Sequence, residues 1–64
     1  MRPEVVKANL IRKKIKMRGI AAEAGCSPTA VTLVIQRKSV SRRIRRIIAD
    51  KLGYEYIRVW GECA

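Results

Sequence analysis

The chain contains no histidine, no phenylalanine and only two cysteines among its 64 residues, Cys26 and Cys63. Two thiols without histidine cannot complete the four ligands that a structural zinc ion usually requires. Paired carboxylates and a glycine-rich phosphate loop are also lacking, and Cys26 has no neighbouring base that would activate its thiol. We therefore expect neither an enzyme nor a protein that holds a metal, a cofactor or a small-molecule ligand.

Long apolar segments are absent as well. No apolar run approaches the roughly 18 residues that a membrane span needs, and the N-terminal segment MRPEVVKANL lacks the apolar region of a signal peptide. We therefore expect no membrane partner and a cytoplasmic location, where thiols stay reduced. There Cys26 is expected to be a small buried filler and Cys63 a free, exposed thiol. A disulfide through Cys63 that links two copies is the less favoured alternative.

Acidic residues are scarce: five Asp and Glu stand against fifteen Lys and Arg, a net charge of +10. Hydrophobic residues nevertheless make up 48% of the chain, a globular composition. A chain this short forms one domain, residues 1–64. A charge excess of this size indicates a polyanionic partner, either nucleic acid or an anionic membrane surface. The alternative is that the basic residues of the fourth expected helix form only a solvated face without a partner.

Apolar residues recur at helical spacing and predict an all-α protein, a compact bundle of four to five short helices. Ser27-Pro28 and Ser41 are typical of helix starts, whereas Gly25 and Gly53 are typical of helix ends. A buried strand is the alternative for the β-branched cluster at 30–35. The expected helices span about 3–14, 17–24, 27–36, 41–52 and 55–60, followed by a loose tail at about 61–64.

Each expected helix has one apolar face that should pack inward. The second helix is the weakest, because Gly19 within it costs up to about 1 kcal/mol relative to alanine and Lys16 before it offers no capping oxygen. Only Gly25-Cys26-Ser27 separates it from the third helix, so the chain must turn sharply there. The residues expected to face inward are Val6 and Leu10 with Ile11 and Ile15 beside them, then Ile20, Ala21, Ala24, Val31, Val34, Ile35, Ile44, Ile47, Ile48, Leu52, Tyr54, Ile57 and Trp60.

Two stretches carry a resemblance to a known family. The stretch GIAAEAGCSPTAVTLVI resembles the helix-turn-helix of phage-repressor-like DNA-binding domains, and within that group the small phage regulators of the Cro and Ner type. The stretch RRIRRIIADKLGYEYIRVW resembles the helix and the Trp-terminated turn that follow in those domains. The likeness covers roughly residues 5–60 and implies a helix-turn-helix unit at about 17–36. It implies a sequence-specific regulator of transcription that binds double-stranded DNA, a small phage- or prophage-type repressor.

The resemblance also implies which side chains face DNA. In such domains the second helix of the unit enters the major groove with its N-terminal end leading. Gln36 is suited to bond bidentately to an adenine edge, and the methyl groups of Thr29 and Thr32 are suited to meet a thymine methyl. No arginine lies on this face, so we expect modest specificity per half-site. The expected base-contacting residues are Ser27, Pro28, Thr29, Thr32, Leu33 and Gln36.

Cations flank this helix on both sides in the sequence. Between Ala24 and Ala49 there is no acidic residue. Phosphate contacts fix position and register without reading sequence, and about six of them would make log K fall with log salt at a slope near −5. The expected phosphate-contacting residues are Lys16, Arg18, Arg37, Lys38, Arg42 and Arg43, with Arg45 and Arg46 on the same basic stretch.

Two other hypotheses about the function are compatible with the sequence. A nucleic-acid binder without sequence preference, architectural or RNA-binding, would use the same charge. A membrane-active basic peptide is less compatible with the tight turn at 25–28 and the repeated apolar faces. If the chain is a regulator, its small size favours two copies, a homodimer, on an inverted repeat. Two alternatives stay open for the dimer: the copies meet through the segment 54–60, or they pair only on DNA.

Overall fold

The computed structural model describes residues 1–61, which fold into five α-helices and contain no β-strand. The helical expectation for 30–35 is thereby confirmed over the alternative of a strand. No helix within 1–61 is long and apolar enough to span a bilayer. The expected tail at 61–64, and with it Cys63, falls outside the described residues apart from Gly61. The helices are α1 (Pro3–Arg12), α2 (Met17–Ala24), α3 (Pro28–Ile35), α4 (Arg42–Leu52) and α5 (Tyr56–Trp60).

Serine side chains fix the starts of α3 and α4. The hydroxyl of Ser27 accepts a hydrogen bond from the backbone N–H of Ala30 at 3.3 Å. The hydroxyl of Ser41 accepts one from the N–H of Ile44 at 3.4 Å. Each cap satisfies one of the backbone donors that a helix start leaves unpaired. Lys16 precedes α2 without any side-chain cap, as the sequence predicts.

Four residues with left-handed backbone conformation follow the helices α1 to α4 and redirect the chain. Gly25 and Gly53 follow α2 and α4 with φ of 72° and 78°, a region that glycine enters without a steric cost. Lys14 and Arg37 adopt the same region after α1 and α3, with φ of 58° and 62°. Because these two residues carry a Cβ, their conformation is strained and needs support from the surrounding contacts.

The core lies where α2, α3 and α4 pack on one another, with α1 covering α3 and α5 covering α4. Every one of the four longer helices contributes an apolar face at 3–4 residue spacing, as predicted. The buried side chains form one continuous cluster. They are Val6, Leu10, Ile20, Ala21, Ala24, Val31, Val34, Ile35, Ile44, Ile48, Ala49, Leu52, Val59 and Trp60.

Several inward assignments differ from the sequence-based expectation. Ile11 is 69% exposed, because α1 buries only a narrow stripe, Val6 and Leu10, against the core. Ile57 is 65% exposed, because α5 turns Val59 and Trp60 toward the core instead. Cys26 was expected to be buried, but it is only half-buried and packs against the core.

Polar contacts join helices that are distant in sequence. The ammonium group of Lys13 donates to the carbonyl oxygen of Leu52 at 2.7 Å, which satisfies a backbone acceptor at the end of α4. The indole N–H of Trp60 donates to the carbonyl oxygen of Arg45 at 2.8 Å and so fastens α5 to α4. These contacts hold the basic second half of the chain against the core.

Candidate nucleic-acid interface

The interface candidate is built on the α2–turn–α3 segment. The turn is short because Gly25 is left-handed and the N–H of Cys26 bonds back to the carbonyl of Ala21 at 3.0 Å. Ala21 is buried, and its small side chain lets α2 and α3 approach closely. The segment therefore presents α3 at a fixed angle, with one side of the helix in the core and the other toward solvent.

The six residues that the sequence assigns to base contacts do share the outer side of α3. Their spacing repeats at three to four residues, so they form one stripe along the helix. Five are exposed, and Thr32 is half-buried. The Thr32 hydroxyl donates to the carbonyl of Pro28 at 3.1 Å, so its oxygen is left as an acceptor and its methyl group as an apolar contact. The members of this reading stripe are Ser27, Pro28, Thr29, Thr32, Leu33 and Gln36.

Residues of α1 border this stripe, and no sequence pattern predicted their position there. Glu4 and Lys7 line a small cavity of about 210 Å³ together with Thr32 and Gln36. The cavity forms because α1 packs across α3, a contact between residues about 30 positions apart in sequence. A carboxylate and an ammonium group thus lie at the edge of the same surface as Gln36.

All six residues assigned to phosphates are exposed and form no salt bridge in the part of the chain that the structure describes, and five of them make no side-chain hydrogen bond there either. The one ion pair within 1–61 joins Lys51 to Glu23, on α4 and α2. Ser41 caps α4, and no acidic residue occupies the first turn of that helix, so its positive end adds to the local charge. These five cations lie before and within α2 and around the α3–α4 connection, so that along the sequence they precede and follow the reading stripe: Lys16, Arg18, Lys38, Arg42 and Arg43.

Arg37, the sixth assigned residue, makes contacts within the chain. Its guanidinium donates to the carbonyl oxygen of Met1 at 2.6 Å and to that of Trp60 at 3.4 Å. It also lies 5.7 Å from the centre of the Trp60 ring. The guanidinium of Arg45 lies 5.1 Å from the same ring centre. The side chain thus anchors the left-handed residue that ends α3. Its assignment to phosphate stays a prediction, and the sequence offered no signal for this second role.

Within residues 1–61, no three side chains of the Cys, Asp or Glu type lie close enough to hold an ion. An open groove of about 880 Å³ lies between α4 and α5, and its lining includes three arginines, two carboxylates and an exposed isoleucine.

Comparison of the sequence and the structure with known proteins finds no matching family model, no matching curated protein and no matching solved structure. A function for this surface has to come from its own geometry and charge. The surface has a solvent-facing stripe of mainly polar side chains on α3, exposed cations before and after it in the sequence, and a net charge of +10.

Proposed function

We propose that the protein is a sequence-specific regulator of transcription that binds double-stranded DNA through a helix-turn-helix formed by α2, 25–27 and α3. The observation that carries the proposal is the outer side of α3: six residues suited to base edges lie there, and exposed cations without a salt bridge precede and follow them in the sequence. In this role the protein is not an enzyme; it acts as a small phage- or prophage-type repressor in the cytoplasm.

Base recognition is assigned to α3. A B-form major groove about 12 Å wide admits one α-helix, and the capped N-terminal end of α3 enters first. Gln36, at the far end of the stripe, carries both a donor and an acceptor and can pair with the N6 and N7 positions of an adenine. Leu33 and the methyl group of Thr32 supply apolar contacts that favour thymine. These contacts specify only a few base pairs per copy.

Affinity is assigned to the cations. The exposed side chains before α2 and around the α3–α4 connection would lie against the two backbones that border the groove, as phosphate contacts that set the register. If the five cations without internal partners each neutralise one phosphate, log K falls with log salt at a slope of about −4.5 per copy. Arg37 is left out of this number because its guanidinium is bound to two carbonyls of the chain.

Two copies are expected on one site. A single α3 helix reads too few base pairs to select a unique site, so paired copies on an inverted repeat supply the missing specificity. The centres of the half-sites would then lie about 34–36 Å apart, one helical turn of DNA. The net charge of each copy opposes their approach in solution, and the phosphates of DNA offset that repulsion.

The alternative is a nucleic-acid binder without sequence preference, which the net charge alone would also support. A competition assay tests the RNA-binding form of this alternative. A labelled duplex bound at about 0.15 M salt, where exposed charges are screened beyond about 8 Å, is challenged with unlabelled duplex or single-stranded RNA of equal length. The proposal expects the duplex to compete far better. Equal competition by single-stranded RNA would support the alternative, for which stacking aromatic side chains are few.

A further inference from the structure

The groove between α4 and α5 combines an apolar surface with unpaired charge. Its volume is about 880 Å³, and Ile47, Tyr56 and Ile57 contribute its apolar lining. Ile57 is 65% exposed, so a large apolar side chain occupies a position of α5 that faces solvent. A large aliphatic side chain at the mouth of a groove leaves apolar area in water, which contact with a partner would remove.

The charges of the groove are divided along its length. Arg42, Arg43 and Arg46 lie on the first turns of α4, whereas Asp50 lies in its last turn and Glu55 just before α5. From Arg42 to Asp50 the helix rises about 12 Å, so the basic and acidic ends are well separated. None of these five side chains forms a salt bridge with any other described residue. The groove is therefore basic at one end, acidic at the other and apolar between.

We propose that this groove binds a second copy of the chain about a two-fold axis, with Ile57 of each copy entering the groove of the other and Arg46 facing Glu55 of the other copy. A two-fold interface must be complementary to itself. Antiparallel pairing of two such grooves brings Arg46 of each copy against the acidic end of the other and buries both exposed isoleucines, whereas Arg42 and Arg43, nearer the start of α4, are left for the phosphates. An acidic peptide from another protein would match the arginines but would face Asp50 and Glu55 with charge of the same sign.

The inference deepens the proposed function by naming the surface that joins the two DNA-bound copies, and it rests on that function for its role. Its test uses no DNA, so either can fail without the other. A monomer that still selects a single half-site would overturn this inference alone. A dimer that prefers no duplex would overturn the proposed function alone.

The first measurement is sedimentation equilibrium of the full chain without DNA, up to about 1 mM protein, the range of weak association. Salt of about 0.3 M screens the long-range repulsion between the two basic copies. The wild-type chain is expected to dimerise. Ile57→Asp should raise the dissociation constant at least about tenfold, as truncation of a central apolar anchor does. Ile11→Asp is the matched control, since Ile11 is exposed to the same degree on α1, and it should leave the constant unchanged.

Charge reversal tests the orientation. Arg46→Glu and Glu55→Arg, each alone, place like charges against each other twice in a two-fold dimer, and both should weaken association. An equimolar mixture of the two variants restores opposite charges at both contacts and should associate more tightly than either variant by itself. Circular dichroism confirms that each variant keeps its helices, which is expected because both side chains are exposed.

Three results would overturn the inference: a wild-type chain that stays monomeric, Ile57→Asp and Ile11→Asp with equal dissociation constants, or a mixture no tighter than its components. A monomer that instead binds a probe peptide of alternating Glu and Leu would assign the groove to a different, acidic partner.

Discussion

Replacing Arg37 by alanine tests whether this side chain stabilises the fold or contacts DNA. The sequence assigns Arg37 to phosphate, yet its guanidinium is bound to the carbonyls of Met1 and Trp60 and lies over the Trp60 ring. Alanine removes all three contacts. It leaves the strain of the left-handed backbone unchanged, because both residues carry a Cβ. The variant therefore reports on the side chain alone.

The expected loss follows from these contacts. Each hydrogen bond contributes about 0.5–1 kcal/mol at a site open to solvent, the lower part of the usual range. An exposed cation–π contact adds about 0.5–1 kcal/mol. The sum is about 2 kcal/mol, which lowers the melting temperature of a domain of this size by about 8–16 °C. Affinity for duplex DNA, measured below the transition, should keep its salt slope.

Lys38→Ala is the matched control, because Lys38 is the next residue, is also exposed and makes no side-chain hydrogen bond or salt bridge within residues 1–61. It should leave the melting temperature unchanged and flatten the salt slope by about 0.9, one phosphate contact. Thermal unfolding followed by circular dichroism and salt-dependent fluorescence anisotropy give both quantities. If Arg37→Ala unfolded like the wild type and flattened the slope as Lys38→Ala does, Arg37 would be a phosphate contact and the reasoning above would be wrong.

Three further substitutions test other parts of the account. Gln36→Ala should relax specificity at one base pair, at a cost of about 1–3 kcal/mol for the preferred duplex; equal weakening on every duplex in anisotropy titrations would contradict the groove assignment. Gly19→Ala should stabilise the protein by about 0.5–1 kcal/mol in urea unfolding, since a Cβ there meets no atom within 4 Å and alanine favours the helix; a loss of stability would refute this. Tyr56→Phe should not lower the free energy of unfolding and should raise it by up to about 1 kcal/mol, because the hydroxyl is buried without a partner among the described residues; a clear loss would show that the hydroxyl is satisfied.

Local signals were sufficient to predict the helices. Ser27, Ser41, Gly25 and Gly53 act within one turn of their own position, so their effect can be read from neighbouring residues. The buried faces of α2 and α3 follow from spacing in the same way. The exposed stripe on α3 is the other side of that spacing, which explains why its six residues were found together.

Contacts between distant residues could not be predicted in this way. The hydrogen bond from Lys13 to Leu52 spans 39 positions, and the one from Arg37 to Trp60 spans 23. The sequence around a basic residue does not show whether its side chain will contact a carbonyl oxygen or solvent. The exposure of Ile57 depends on how α5 packs on α4. The nearness of Glu4 to the reading stripe likewise depends on how α1 crosses α3.

The central claim is that α3 reads the sequence of double-stranded DNA, and selection of duplexes from a randomised pool tests it most directly. The purified chain is incubated with the pool at about 0.15 M salt, where non-specific attraction is weakened. The account predicts enrichment of a short motif, repeated in inverted orientation with centres about one helical turn apart. Retention of the pool without enrichment of any motif would contradict it and would leave a basic protein that binds nucleic acid without reading it.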